Sequence, residues 1–360
     1  MHPGRARLFC GRLRAAMSPH VPKAPAVPAR YAVRTLAATP ILETPIAMHA
    51  ETLDLIKRSA TIPSMPLVAT RCYEMTQDPA CDYGKLVELL GTDPGMAADV
   101  LRLSNSALFG VTRQIGSLRQ AMTLLGIKRI RELVLTRYLV QKTEEVATDA
   151  VDMTYFWRRS LTTAVLSAKF AGILAPANRD EAFIGGLLAD VGVLILAKAI
   201  PDRYHPIAEQ YRPRTGDEWT HDEYNLLGVT HGEVSALVLE QWRLPQTLVD
   251  AVRYHHARHD DLPADSAGAM LARMIGAAGM IARILCEATD THEAAAACTD
   301  VTDRVNLDIL VLIRALDGIE EQIEQLAELL QVDVWSSRVF ASLGKELIEI
   351  LEQNVSAAGA

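Results

Sequence analysis

The sequence predicts an all-α fold. Three observations carry that expectation: apolar residues recur at three- and four-residue spacing in one segment after another, helix start and stop signals separate these segments, and no run of convincing length alternates apolar and polar residues as a half-buried strand would. With 360 residues and 49% hydrophobic side chains, the chain can bury one large core or two ordinary ones.

Charge is unevenly spread. Residues 1–50 hold seven Lys and Arg against the single acid Glu43, which leaves 29 basic and 43 acidic residues beyond. A body this acidic lacks the basic face that neutralises phosphates, so nucleic-acid binding by the folded part is excluded as an expectation. The first 50 residues carry five prolines between Pro19 and Pro40, no continuous apolar stretch for a secretory signal, and two later methionines, Met17 and Met48, that could serve as the start. They read as a disordered leader or a mis-assigned start. Five scattered cysteines with no CxxC suit a reducing, cytoplasmic location.

Taken in order, a short amphipathic helix over Ala50–Ser59 precedes the turn Ile62-Pro63-Ser64-Met65-Pro66. Leu67–Thr76 is helical, and Tyr83–Leu90 puts four aliphatic residues on one side with Gly91 as a C-terminal cap. Asp93-Pro94 opens the next helix, because the Asp oxygen can take free backbone donors while Pro at the first position gives up no hydrogen bond. Ser117-Leu118-Arg119-Gln120 reads as a capping box before a helix that stops at Gly126, and Ile127 to Tyr138 continue one face of another.

Glu181–Leu196 is apolar all round except Glu181 itself and Asp190, and reads as one helix buried on every side. A carboxylate there needs a partner, since burying an unpaired one costs several kcal/mol. The plain alternative is a helix-end Asp reaching solvent or a backbone donor. A membrane span is disfavoured, because Asp190, Lys198 and the two glycines interrupt a stretch barely long enough to cross.

After Pro201 a polar connector runs to Glu218. Thr230 and Glu233 form a second capping box that sets His231 in the first turn of its helix, which ends at Trp242-Arg243-Leu244-Pro245. Gln246–Ala257 carries His255 and His256. The remainder reads as structural, with Leu307–Leu330 presenting Glu320, Glu321 and Glu324 on its wet side.

The order and spacing of these motifs resemble a known family. Asp93-Pro94, Leu101-Arg102-Leu103-Ser104-Asn105-Ser106, Gly110 and Ala121-Met122-Thr123-Leu124-Leu125-Gly126-Ile127 are similar to the N-terminal half of the HDOD domain, the bacterial signalling branch of the HD superfamily of metal-dependent phosphohydrolases. The resemblance implies an N-terminal helical bundle packed on an HD-like helical half over 51–262, with a helical extension over 263–355 packed on it.

It also implies a pocket, and the departures from the pattern set its chemistry. In Trp157-Arg158-Arg159-Ser160 the resemblance places Arg159 where catalytic relatives have their first metal-binding His, and in Leu188-Ala189-Asp190 it places Ala189 where the His of the His-Asp pair stands. Glu223 and His231 match the Glu-x4-Gly-x2-His element, and His255 with His256 match the family's paired histidines. Asp190, His231, His255 and His256 are thus retained, and would be the ligands of any metal. A guanidinium cannot ligate a cation and repels one, so no metal, no cofactor and no catalytic residue are expected. Ala257–Pro263 lacks the Gly-Tyr-Pro of cyclic-dinucleotide phosphodiesterases. The expected function is a non-catalytic regulatory module acting through protein partners, with a nucleotide ligand in the relic pocket left open. The alternative is a divergent metal-dependent phosphohydrolase. If the resemblance holds, Arg159 stands in for the cation and grips Asp190 bidentately; the competing arrangement turns Arg159 to solvent and pairs Asp190 with His231 or His255.

Overall fold

The computed structural model describes residues 46–58, 65–78, 80–105, 114–208, 219–257, 268–288, 290–334 and 338–358. Residues 1–45 of the expected leader, Ile62–Ser64, Ser106–Gly110 and the segment after Ala257 lie outside them. Among the described residues every regular element is a helix.

Helices α2 (Leu67–Gln77), α3 (Tyr83–Gly91), α4 (Pro94–Ser104) and α5 (Leu118–Val146) enclose a core of their own, with Leu86, Leu90, Met96, Val100, Met122 and Val134 at its centre. Local chemistry fixes their starts. Asp82 Oδ1 accepts from the amides of Gly84 and Lys85, and Asp93 Oδ1 accepts from Met96 N while Pro94 occupies the first turn. Asp93 Oδ2 also accepts from Tyr138 Oη at 2.5 Å, tying α4 to the far part of α5. Gly126, at φ 76° and ψ 164°, breaks α5 into two stretches, the stop its sequence suggests, because only glycine takes that conformation without strain. Two caps differ from expectation. Gly91 is the last helical residue and has no left-handed φ, the chain turning instead through Thr92. The Gln120 side chain accepts from Gly116 N, not from Ser117 N, so only half of the Ser117 box forms.

The second core is larger and includes the C-terminal helices. Its centre is α6 (Met153–Leu174), flanked by α7 (Arg179–Leu188) and α13 (Ala269–Glu287), with α15 (Ile309–Leu316) and α16 (Ile319–Leu330) along another side. Helices α8 (Val191–Ala199), α11 (His231–Gln241) and α12 (Gln246–Arg253) complete the half around the histidines. The outer layer comprises α1 (Ile46–Arg58), α9 (Pro201–Ala208), α10 (Trp219–Leu227), α14 (Thr291–Val305) and α17 (Arg338–Ala358).

Three sequence expectations need correction. The apolar run Glu181–Leu196 is two helices, broken at Ala189-Asp190, because Ser235 Oγ takes the Gly192 amide and donates to the Ala189 carbonyl at 2.7 Å. The connector after Pro201 begins as helix α9, which buries Tyr204 and Ile207. Leu307–Leu330 splits at Gly318, φ 63°, into α15 and α16, and Glu320 turns inward instead of facing solvent. The Arg158 guanidinium holds Glu320 with two bonds of 2.7 and 2.5 Å. Two stretches, Pro176–Ala199 and Ala269–Glu287, are long and apolar enough to cross a membrane, but both lie mostly inside the protein as core helices.

Candidate functional site

The break between α7 and α8 places Asp190 at the meeting point of α6, α11 and the turn after α12. Backbones approach closely there: a Cβ on Gly192 would sit 2.1 Å from the His231 carbonyl oxygen, and one on Gly276 equally close to that of His255. Glycine at both positions lets α8 and α13 press the two histidine backbones toward the carboxylate.

Glu223, fully buried on α10, organises the first histidine. Its Oε2 accepts from both the backbone amide and Nδ1 of His231 at 2.8 Å, and its Oε1 accepts from Tyr204 Oη at 2.5 Å. The Thr230–Glu233 capping box fixes the start of α11 and hence the ring's position. His255 donates from Nδ1 to the Val252 carbonyl at 2.6 Å, which turns its Nε2 inward. His256 is exposed, with Nε2 3.0 Å from Nε2 of His231.

Asp190 is shared among all of these groups. Its Oδ2 lies 3.3 Å from Nε of Arg159, and its Oδ1 lies 3.5 Å from His231 Nε2 and 3.6 Å from His255 Nε2. Arg159 is buried against the carboxylate instead of facing solvent, and the histidine contacts of the competing arrangement lie beside it. The Arg159 contact is an ion pair through Nε, which lacks the alignment of a hydrogen bond. Ala189, 2% exposed, contributes only its carbonyl, to Ser235.

Electrostatics follow from burial opposed by charge. Burial by itself raises the Asp190 carboxyl, but the Arg159 guanidinium first, then the ring nitrogens of His231 and His255 beside it, hold it well below the usual carboxylate range. Burial tends to lower His231, yet Glu223 and Asp190 outweigh it and lift the ring to about 9, so it is an imidazolium at neutral pH. Its Nε2–H is then shared between Asp190 and the neutral His256. Desolvation of the inward nitrogen, with His255 and His231 beside it, keeps His256 well below its ordinary value although the outer part of its ring meets solvent.

An HD-like scaffold implies a cation at this donor set. Three imidazoles and a carboxylate present ligand atoms within 4.8 Å of one another, a set transition ions take, and His231–Glu223 and His255–Val252 supply the supporting hydrogen bonds that orient metal-binding histidines. The fit fails at Asp190. Its Oδ2 already faces the fixed charge of Arg159, and an ion bound there would sit against a guanidinium that cannot lose its proton. Among the polar groups, the sequence reading missed Ser235, Tyr204, Arg158 and Glu320. Ser235 is four residues after His231 on the same helical face, a spacing that could have found it; Tyr204 fell in the segment read as connector.

Comparison with known proteins agrees with this architecture. A protein from Shewanella amazonensis, provisionally designated a phosphohydrolase, shares 22% identity and superposes with a TM-score of 0.61 over 83% of this chain and 99% of its own. An HDOD domain protein of unknown function from Geobacter sulfurreducens shares 21% with a TM-score of 0.59, covering 78% of this chain and 98% of that one. At these identities the likeness shows the fold alone. An uncharacterized protein of Treponema pallidum is 24% identical over 200 residues, 54% of this chain, and the chain spans 37% of that relative's length. Residues 62–258, more than half of the sequence, match the model of the HDOD domain, and the chain belongs to that family.

Proposed function

We propose that this protein is a non-catalytic signalling module of the HDOD type, acting through contacts with protein partners in the cytoplasm, and that its HD-like pocket is a structural and regulatory site. The observation that carries this reading is the ion pair between Arg159 and Asp190, 3.3 Å apart and both buried, together with Ala189 in place of a ligand. A fixed guanidinium supplies the positive charge the carboxylate needs and keeps α6 against the α7–α8 break. It activates no water, because water activation requires a Lewis acid with an open position. A nucleotide held without turnover is compatible with the same pocket and would make it a sensor.

The test is an assay of the purified chain on phosphomonoesters, nucleoside phosphates and cyclic dinucleotides with added Mn²⁺, Mg²⁺ or Zn²⁺. We expect no turnover. Metal-dependent hydrolysis that disappears in Asp190→Ala would establish the second reading, a divergent phosphohydrolase. That reading draws on the four converging donors and their oriented histidines.

A further inference from the structure

A cavity of about 140 Å³ lies away from the histidines, where the N-terminal bundle, α6, α7 and α16 come together. At 10–15 Å³ per water it has room for roughly ten non-hydrogen atoms. Leu133 of α5, Val165 of α6, Phe183 of α7 and Leu326 of α16 give it apolar walls. Its charged lining is unbalanced: Arg129, Lys169 and Arg179 stand against the single acid Glu132. Glu132 is itself occupied, 3.5 Å from Arg129 Nη1 and hydrogen-bonded to Asp180. Lys169 donates to a carbonyl oxygen, that of Asp317, and burial followed by the nearby Arg179 charge holds its pKa below the usual lysine value, with Asp317 working in the opposite direction. Apolar walls with surplus positive charge at one side are complementary to a molecule with an apolar body and an anionic end.

We infer that this cavity binds a small amphiphilic carboxylate, its apolar body between Leu133, Val165, Phe183 and Leu326 and its carboxylate against Lys169, Arg129 and Arg179. Ammonium and guanidinium groups both donate to carboxylates, and the guanidinium adds a planar fork. The occupant would bridge three parts of the chain, since α16 closes one side and its Glu320 is bonded to Arg158, the sequence neighbour of Arg159. Occupancy would thus stiffen α16 against α6, the helix that carries the ion pair of the histidine site.

Isothermal titration of the full chain with octanoate tests this, with octanol as the uncharged control. Octanoate has ten non-hydrogen atoms, the number the cavity admits. We expect saturable one-site binding of octanoate, weaker by about tenfold for octanol. Ala168→Leu, which fills the cavity from α6, should abolish binding of both. Lys169→Gln combined with Arg179→Gln changes side chains at the wet edge and should weaken octanoate about tenfold while leaving octanol unchanged. This pair keeps the test decisive if Ala168→Leu does not fold, which circular dichroism reports. Absence of saturable octanoate binding, equal affinity for octanol, or octanoate binding indifferent to the Lys169/Arg179 pair would overturn the inference.

Discussion

Helix α7 ends near a buried carboxylate on each side, and the two are solved differently. At its start Asp180, 5% exposed, meets Arg131 at 3.2 Å and Lys128 at 3.4 Å, both from α5. Just beyond its end Asp190, 7% exposed, meets Arg159 together with His231 and His255. Burial demands a partner at both positions. The partner's chemistry separates them: a guanidinium and an ammonium neutralise Asp180 and join the two halves of the molecule, whereas imidazoles around Asp190 can take or release protons. The first end is a joint, and the second keeps the arrangement of a chemical site with one fixed cation added.

The largest effect should come from removing that cation. Arg159→Ala leaves Asp190 and His231 in a buried, unbalanced cluster, and we expect a loss of about 3 to 5 kcal/mol in urea unfolding. A double-mutant cycle with Asp190→Asn should give a coupling of at least about 1 kcal/mol. If Arg159→Ala costs less than about 1 kcal/mol, water screens the pair and the contrast between the two ends disappears.

One carboxylate at each end, Glu132 and Asp190, should also respond to pH with opposite sign. Glu132, beside Asp180, is pushed up to about 7 by burial, with Asp180 adding to the rise and Arg129 opposing it. The folded state therefore holds its proton more tightly than the unfolded chain, a contribution fully present below about 4.5 and lost as pH rises through about 7. At 1.36 kcal/mol per unit the change is roughly 3 kcal/mol. Glu132→Gln, which keeps a donor for Asp180, should flatten stability between those pH values and stabilise the protein at pH 8. Asp190 runs the other way. Its folded pKa is depressed, so its contribution is present above the ordinary Asp value of 3.8 and vanishes as pH falls below it. Stability curves of wild type and Glu132→Gln that stay parallel from pH 5 to 8 would contradict this.

A smaller loss is expected at the joint. Arg131→Ala should cost about 2 kcal/mol, less than Arg159→Ala, because Lys128 remains 3.4 Å from Asp180. Lys128→Ala, with a side chain 64% exposed, should be nearly silent in the same unfolding experiment. Equal costs for Arg131→Ala and Arg159→Ala would mean that the imidazoles compensate Asp190 as well as Lys128 compensates Asp180.

The sequence made some of this contrast legible and hid the rest. Helix starts were readable wherever an Asp or Thr cap supplies its own local hydrogen bonds, as at Asp93 and Thr230, because capping is decided within four residues. The histidine set was readable through motif order. The break at Asp190 was not, since apolar composition is the same for one buried helix or two, and Ser235, 43 residues from Gly192, is what secures it. The inward turn of Glu320 was hidden for a related reason: its partner Arg158 lies 162 residues away, and an acidic residue on an amphipathic helix ordinarily faces water.

The smallest effect should come from His256, and it sharpens what holds the proton on His231. His256 is exposed, so truncating it removes little buried surface, and His256→Ala should cost under about 1 kcal/mol. Its Nε2 is nevertheless 3.0 Å from that of His231, close enough to be mistaken for the group that raises His231 to about 9. A neutral imidazole is a weaker stabiliser of a cation than a carboxylate, and His231 has two: Glu223 at 2.8 Å on one nitrogen and Asp190 at 3.5 Å on the other. The His231 titration, followed by the NMR shift of its ring proton, should therefore stay near 9 in His256→Ala and fall well below that in Glu223→Gln. With Glu223→Gln the ring also gives up its charge at a lower pH in the folded state, which weakens the Asp190 end from the alkaline side. A His231 pKa that collapses toward 6.5 in His256→Ala would assign the proton to the histidine pair, and the carboxylates would no longer explain why this end of α7 carries charge.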